Sequence, residues 1–305
     1  MGAKMHDAAC WRFYRCAPPA LDPDLALVAE IGLDVMDLAE VAGLDDPLDL
    51  LYGRAIAVVM ADSEGEAGLI HGRRRALEVA DWAGFEARAQ ESAGRGKFRG
   101  IGLTSYIEAC AFPGSEEATV ELNDNGTVTL LIGTQTNGQG HATAYGQVIA
   151  DQLGLDLDHI EVIQGDTDRV RKGGGTGGSR SIPLGMPSVN GASKILVRKI
   201  KEQAAQQLET GTDDLELVDG NVRVVGTDRQ VTLAEVAALA PEKLSGRDEV
   251  KQVEATYPNG THIAELEVDP ETGEVTLENY VIVDDFGVTV NPILLEGQVH
   301  GGAAQ

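Results

Sequence analysis

The chain has 305 residues, 49 of them Asp or Glu and 24 Lys or Arg, for a formal charge of −25. Without a basic surplus it is not a nucleic-acid binder that works by neutralising phosphates. No apolar run approaches the roughly 18 residues of a membrane span and no basic-then-apolar leader opens the sequence, so a cytoplasmic protein with no membrane association is expected.

Hydrophobic residues make up 43% of the chain, enough for a core in one large domain or two ordinary ones. Cys10, Cys16 and Cys110 show no metal-ligand spacing, and so few cysteines point to reduced thiols. Along the chain, Pro18-Pro19 and Asp22-Pro23 mark a loop, and residues 25–41 then show helical apolar spacing. Residues 64–93 are helical in composition, with Arg73-Arg74-Arg75 read as a solvated face; the glycines from Gly94 to Gly100 end that run. From Gly100 the pattern turns to sheet. Residues 118–122 and 127–132 alternate about Asn123-Asp-Asn-Gly126, a hairpin signal. Residues 142–153 read as a helix, 159–163 as a strand, and 186–208 as a long helix with Val189, Ala192, Ile195, Leu196 and Ile200 on its apolar stripe. A strand pair follows at 215–225, and a capping box at Thr232-Leu-Ala-Glu235 opens a short helix. Residues 254–268 and 274–283 form a second hairpin over Asp269-Pro-Glu-Thr-Gly273. With no repeated βαβ rhythm, the expected fold class is α+β, mixed sheets with packed helices. A mostly helical segment 1–97 is expected to precede an α+β region 98–305.

Two glycine-rich turns stand out, Thr136-Asn-Gly-Gln-Gly-His-Ala-Thr143 and Gly173-Gly-Gly-Thr-Gly-Gly-Ser-Arg-Ser181. Each offers main-chain N–H groups that no bulky side chain screens, ahead of a helix-like segment. That is the arrangement by which helix N-termini and backbone nests hold anionic, phosphate-bearing ligands. Neither is a Walker loop, since Gly178 is followed by Ser179-Arg180 where that loop needs Lys then Ser or Thr. The second turn does not fit the dinucleotide fingerprint, which needs a preceding buried strand and an acidic residue about twenty positions on. An ordinary glycine-rich loop explains either turn alone; the pair points to one large cofactor held from two sides. Arg180 and Lys172 are the nearest cations, and both read equally as solvated loop charges. Asp166 and Thr167 fit an Asx turn, Asp284-Asp285 a strand-end cap, and Glu265, Glu267 and Asp269 solvated strand charges.

The ordered set Gly100-Ile-Gly102, Tyr106-Ile-Glu108, Gly138-Gln-Gly-His141, Gly165-Asp-Thr167, Gly175-Thr-Gly-Gly-Ser-Arg-Ser181, His262-Ile-Ala-Glu-Leu-Glu-Val-Asp-Pro270 and Asn291-Pro292 through Glu296-Gly-Gln-Val-His-Gly-Gly302 resembles one family. It is the molybdopterin-binding large subunit of the xanthine dehydrogenase, aldehyde oxidoreductase and aerobic carbon monoxide dehydrogenase group. The resemblance covers roughly residues 70–305 and implies a molybdenum-bearing molybdopterin, carried in many bacterial members as a cytosine dinucleotide. Iron–sulfur clusters and FAD are implied on partner chains only. Cofactor contact carries over to Gly138, Gln139, Gly140, His141, Thr143, Thr176, Gly177, Ser179, Arg180, Ser181, Gln298 and Gln305. His141 and Thr143 also read as helix-start residues.

The family's catalytic glutamate lies beyond the position matched by Gln305, so no catalytic or metal-ligating residue is assigned. Phe13-Tyr-Arg-Cys16 resembles the copper-binding Tyr-Arg-Cys of carbon monoxide dehydrogenases, but Ala17-Pro-Pro-Ala20 does not continue that pattern. The expectation is therefore a fragment or split large subunit, inactive alone and completed by the remaining large-subunit segments and the iron–sulfur and FAD subunits. Apolar surface left uncovered would drive homo-oligomerisation. The competing expectations are a non-catalytic cofactor-binding or assembly module, and an unrelated nucleotide-binding protein.

Overall fold

The computed structural model describes residues 66–305, so the helix expected over residues 25–41 and the segment around Cys16 lie outside the described residues. The elements run α1 (Glu66–Val79), α2 (Phe85–Gly94), β1 (Phe98–Ile107), β2 (Gly114–Leu122), β3 (Val128–Ile132), α3 (His141–Leu153), β4 (Ile160–Ile163) and α4 (Met186–Leu208). They continue with β5 (Leu215–Val218), β6 (Asn221–Val224), β7 (Gln230–Thr232), α5 (Leu233–Leu239), β8 (Ser245–Gln252), β9 (Asn259–Val268), β10 (Val275–Asp285) and α6 (Pro292–Ala304). This is the α+β class with mixed sheets. The chain divides into two compact units, one ending at Glu108 and resuming over Tyr257–Gly287, the other comprising Ala109–Thr256 and Val288–Gln305. No helix among the described residues is long and apolar enough to cross a membrane.

The first unit is an antiparallel sheet in the order β1-β9-β10, built on the expected β9–β10 hairpin. The single helical run read over residues 64–93 is split in two. Asp81 adopts a left-handed conformation (φ 45°), and a 3-10 turn at Trp82–Gly84 separates α1 from α2. Gly84 is needed there, because a Cβ would meet the Asp81 carboxylate and sit 2.9 Å from Arg88 Nη1. The apolar core is small: Ala76, Ala80, Ile101, Ile263 and Val281, with Trp82 and Phe85 packed against it.

Two of the three carboxylates read as solvated are buried. Strand alternation places Glu265 and Glu267 on the same face as Ile263, at 1% and 3% exposure, and Arg88 and Ser92 of α2 and Arg95 just after it reach that face. Arg88 binds Glu265 with two hydrogen bonds of 2.8 Å each, and Arg99 Nε donates to it at 2.6 Å. Glu267 accepts from Ser92 Oγ at 2.7 Å and Arg95 Nη2 at 2.5 Å, with Lys97 Nζ at 3.3 Å. The missed signal was the complementary set Arg88, Arg95, Lys97 and Arg99, which makes burial of two acids tolerable. Asp269 is only half-buried, accepting from Glu271 and Thr272 amides in the hairpin turn. At the other end of β10, Asp285 accepts from the Gly287 amide as a strand-end cap, while Asp284 accepts from Tyr106 Oη.

The second unit holds the larger core. Its four-stranded sheet runs β4-β3-β2-β8, parallel only between β3 and β4, with the expected β2–β3 hairpin. Val120, Leu122, Leu130 and Ile132 pack against Ile149 and Leu153 of α3 and against α4. The fully buried apolar positions of α4 are Val189, Ala192, Leu196, Ile200 and Ala204, spaced three or four apart as its stripe requires; Ile195 stands at the stripe's edge. A small meander, β5-β6-β7, leads into α5, whose capping box forms as read: Glu235 N donates to Thr232 Oγ1 (3.1 Å) and Thr232 N to Glu235 Oε2 (2.8 Å). Asn291 caps α6 through the Leu294 amide and binds Gln147 of α3 at 2.7 Å.

The first unit should be acid-sensitive. Burial alone would raise the Glu265 carboxyl, but the Arg88 and Arg99 hydrogen bonds and charges together hold it below its ordinary 4.5; Ser92 and then the surrounding cations hold Glu267 down. A depressed carboxylate stabilises the fold fully above the unfolded value, and that stability is lost as pH falls through the folded one. Urea midpoints should therefore hold above pH 5 and drop below about pH 4.5. Arg99→Met should cost about 3 kcal/mol at neutral pH and flatten this acid limb.

A candidate cofactor cage on two glycine turns

The site grows from the end of β3. After Ile132 the chain enters the first turn, crosses it in exposed conformation from Gln135 to Gly138, and starts α3 at His141 with Gly140 as N-cap. Gly138 and Gly140 both have left-handed φ, 103° and 83°, which glycine alone adopts without strain. A Cβ at Gly140 would lie 2.6 Å from Leu294 Cδ2, so this glycine also lets α6 press on the turn. The second turn leaves the loop after β4 and passes Gly175 to Ser179 before a single π turn at Ser181–Gly185 leads into α4. Ser179 has φ 56°, an uncommon conformation for a residue with a side chain.

The two turns are joined backbone to backbone. A Cβ on Gly173 would sit 2.5 Å from the Gly133 Cα, and the Gly175 amide donates to Gly133 O at 3.1 Å. Thr176 Oγ1 accepts from the Gln135 amide (2.9 Å) and lies 2.8 Å from Ser181 Oγ. Beneath them Tyr145, fully buried on α3, donates to Ser181 O (2.8 Å) and lies 3.1 Å from Thr134 Oγ1; burial pushes its phenol up to about 12. Gln164, at the end of β4, donates to Thr134 Oγ1 (2.9 Å) and contacts His141 Nδ1 (3.1 Å). The Gln164 amide nitrogen is the donor in that contact, so the neutral ring of His141 carries its proton on Nε2. Burial holds the imidazole below its usual value, the Gln164 bond opposing.

Of the residues singled out in the sequence, Gly138, Gln139, Gly140 and His141 share the first turn, and Thr176, Gly177, Ser179, Arg180 and Ser181 the second. Gln139 is folded onto its own loop, its Oε1 accepting from Asn137 N and Thr136 Oγ1. Thr143 is not the helix cap; it lies exposed in the first turn of α3. Gln298 and Gln305 are exposed at α6, which touches the turn through Leu294 instead. Arg180 is not a solvated loop charge: it points inward, 2.9 Å from Glu116 Oε2, and donates to Gly175 O (2.7 Å) and Ser115 O (2.8 Å). Lys172 pairs with Glu249. Asp166 makes the expected Asx turn, accepting from the Asp168 and Arg169 amides.

Sequence reasoning passed over Glu116, Thr134 and Tyr145. Glu116 was findable, because it shares the strand face of Ala118, Val120 and Leu122, where an acid needs a reason. Tyr145 was equally findable one helical turn after His141, in line with Ile149 and Leu153.

The arrangement suits a large anionic group. At Gly138, Gly175 and Gly177 a Cβ would meet nothing within 4 Å, so bare main chain faces open space on both turns. The exposed groups there are amides and hydroxyls, with no acidic residue in the first turn of α3, the end where a helix dipole attracts negative charge. No cluster of three His, Cys, Asp or Glu able to hold a metal ion occurs among the described residues.

Residues 75–305 match the model of the molybdopterin cofactor-binding domain. The chain belongs to this family, the molybdopterin-binding large subunits of the xanthine dehydrogenase, aldehyde oxidoreductase and carbon monoxide dehydrogenase group. It is 32% identical to the nicotine 6-hydroxylase large subunit of Paenarthrobacter nicotinovorans over 252 residues, 75% of this chain and 31% of that one. It is 31% identical to the carbon monoxide dehydrogenase large chain of Hydrogenophaga pseudoflava over 76% of this chain and 32% of the relative. A crystal structure of a Cu,Mo-CO dehydrogenase superposes with a TM-score of 0.69 at 26% identity, covering 91% of this chain and 39% of that one. The chain thus spans about a third of the length of the curated relatives it matches.

Gly173→Ala should force the turns apart, costing about 1–3 kcal/mol and removing hydrogen-exchange protection from the Gly175 amide. The His141 ring should titrate below 6.5 by NMR. A base neutral in the fold and protonated when unfolded destabilises as pH falls below the unfolded value, so the second unit should begin to weaken below about pH 6.5.

Proposed function

We propose that the two turns grip the pterin and phosphates of the molybdenum cofactor, in its cytosine dinucleotide form, and that the chain serves as the cofactor-holding part of an oxidoreductase. The observation that carries this reading is the bare main chain of Gly138, Gly175 and Gly177 on two turns fixed to each other through Gly133 and Gly173. The amides of the first turn and the N-terminus of α3 would hold one anionic part of the ligand. Thr176, Gly177, Ser179 and Ser181 would hold another. Thr143, Gln298 and Gln305 carry exposed side chains that can reach a ligand without breaking an internal hydrogen bond. Buried and neutral, His141 offers no charge to the ligand and instead orients the start of α3 through Gln164.

When bound, such a cofactor supplies two-electron redox chemistry and oxygen-atom transfer at its metal. This chain's residues contribute position and a preformed anion site. The relatives' names describe a large subunit, a large chain and a subunit of a dehydrogenase complex. We take partner chains bearing iron–sulfur clusters and flavin as the route by which electrons leave. Substrate-dependent dye reduction then requires those partners.

Chain purified from a host that makes the cofactor should carry molybdenum, phosphorus and pterin at near-stoichiometric amounts. Gly177→Val, which places a branched side chain in open space without forcing a left-handed backbone, should lower all three at least tenfold while circular dichroism stays unchanged. A wild-type chain free of molybdenum and pterin would overturn the reading in favour of an assembly module. Saturable ATP or NAD binding in its place would favour a nucleotide-binding protein.

A further inference from the structure

Glu116 is an acid in a position built for an apolar residue. Its side chain is fully buried on β2, in line with Ala118 and Val120. One oxygen, Oε1, accepts from the Gly133 amide at 3.1 Å, at the root of the first turn. The other, Oε2, lies 2.9 Å from Arg180 Nη1, at the far end of the second turn. Arg180 in its turn accounts for Gly175 O and Ser115 O, and its guanidinium lies 3.0 Å from where a Cβ on Gly174 would be. One carboxylate therefore touches both turns, and one guanidinium laces the second turn to β2.

We propose that Glu116 and Arg180 act as a positioning pair that sets the spacing of the two turns, so that the ligand's anionic groups meet main-chain amides while the Arg180 charge stays directed inward. This rests on the cofactor reading above. It assigns Arg180 differently from a phosphate-contacting cation, the role its place in a glycine-rich loop implies. The guanidinium already donates to two carbonyls and lies against a carboxylate, and reaching outward would abandon all three. A buried ion pair of this kind contributes little net stability compared with apolar packing, whereas breaking it from one side is costly. Its use is in geometry: fixed donors at fixed separation need no rearrangement when the ligand binds.

The test uses the ligand-free chain first. In the unmodified protein the Gly133 and Gly175 amides should exchange with protection factors within about threefold of each other, as one opening unit. Glu116→Gln and Arg180→Lys should each raise exchange across both 133–139 and 173–181. The double variant should be no worse than the more severe single one, the signature of a shared interaction. In cofactor-loaded protein, molybdenum and phosphorus retention should be insensitive to NaCl in the wild type. Glu116→Gln, which removes the counter-charge of the guanidinium, should make retention fall as NaCl rises; loss of packing alone would not produce it. Protection factors differing more than tenfold, additive effects of the two substitutions, or a salt-dependent wild type would each overturn the proposal. If either variant fails to fold, the salt dependence of the cofactor-loaded wild type still decides. A wild-type chain with coupled turns but no molybdenum would overturn the cofactor reading alone.

Discussion

The site depends on a place where two backbones touch. Gly133 and Gly173 approach so closely that neither can carry a Cβ, and the Gly175–Gly133 hydrogen bond follows from that approach. Because β3 ends one residue before Gly133, the contact ties the second turn to the rigid edge of the sheet. The polar contacts around it hold the two turns in that register. Glu116 reaches Gly133 from the neighbouring strand, Thr176 reaches Gln135, and Tyr145 rises from α3 to Ser181 and Thr134. The turns can be bare toward solvent because they are so thoroughly held from below.

That division between an open upper surface and a bonded lower one explains how an acidic chain can accommodate an anion. The nearby cations are internally paired, Arg180 with Glu116, Lys172 with Glu249 and Arg171 with Glu117. What faces outward is amide, hydroxyl and the positive end of α3. Partial charges fixed in the main chain work at short range and leave the net charge of −25 unaltered.

Much of this was legible in the residues. The hairpin at Asn123-Asp-Asn-Gly126, the long helix at 186–208 and the capping box at Thr232 obey local rules, and the structure follows them closely. The two turns announced themselves because glycines in such density have few structural uses. What escaped was decided by partners distant in sequence. Glu265 and Glu267 looked like ordinary strand charges because the arginines that bury them lie some 170 residues away. The break at Asp81 was hidden because its left-handed backbone leaves no mark in helix propensity. Arg180 looked free because its partner Glu116 lies on a strand distant in sequence, and Thr143 looked like a cap because the helix is capped three residues earlier, at Gly140.

The connectivity of the first unit has a consequence for how the protein is made. Its sheet pairs β1 with β9, strands separated by about 150 residues, and the whole of β2 through β8 is inserted between them. Nearly all the strands and helices of the second unit leave the ribosome before β9 does. During that interval β1 waits without its β9 partner, and Arg99 without its carboxylate. Closing so long a loop is entropically far easier once the intervening residues have collapsed into a folded body. Synthesis of the cofactor-binding unit thus comes before completion of the first, and β9 acts as a late fastener. Its buried acids, Glu265 and Glu267, find four cations already in place.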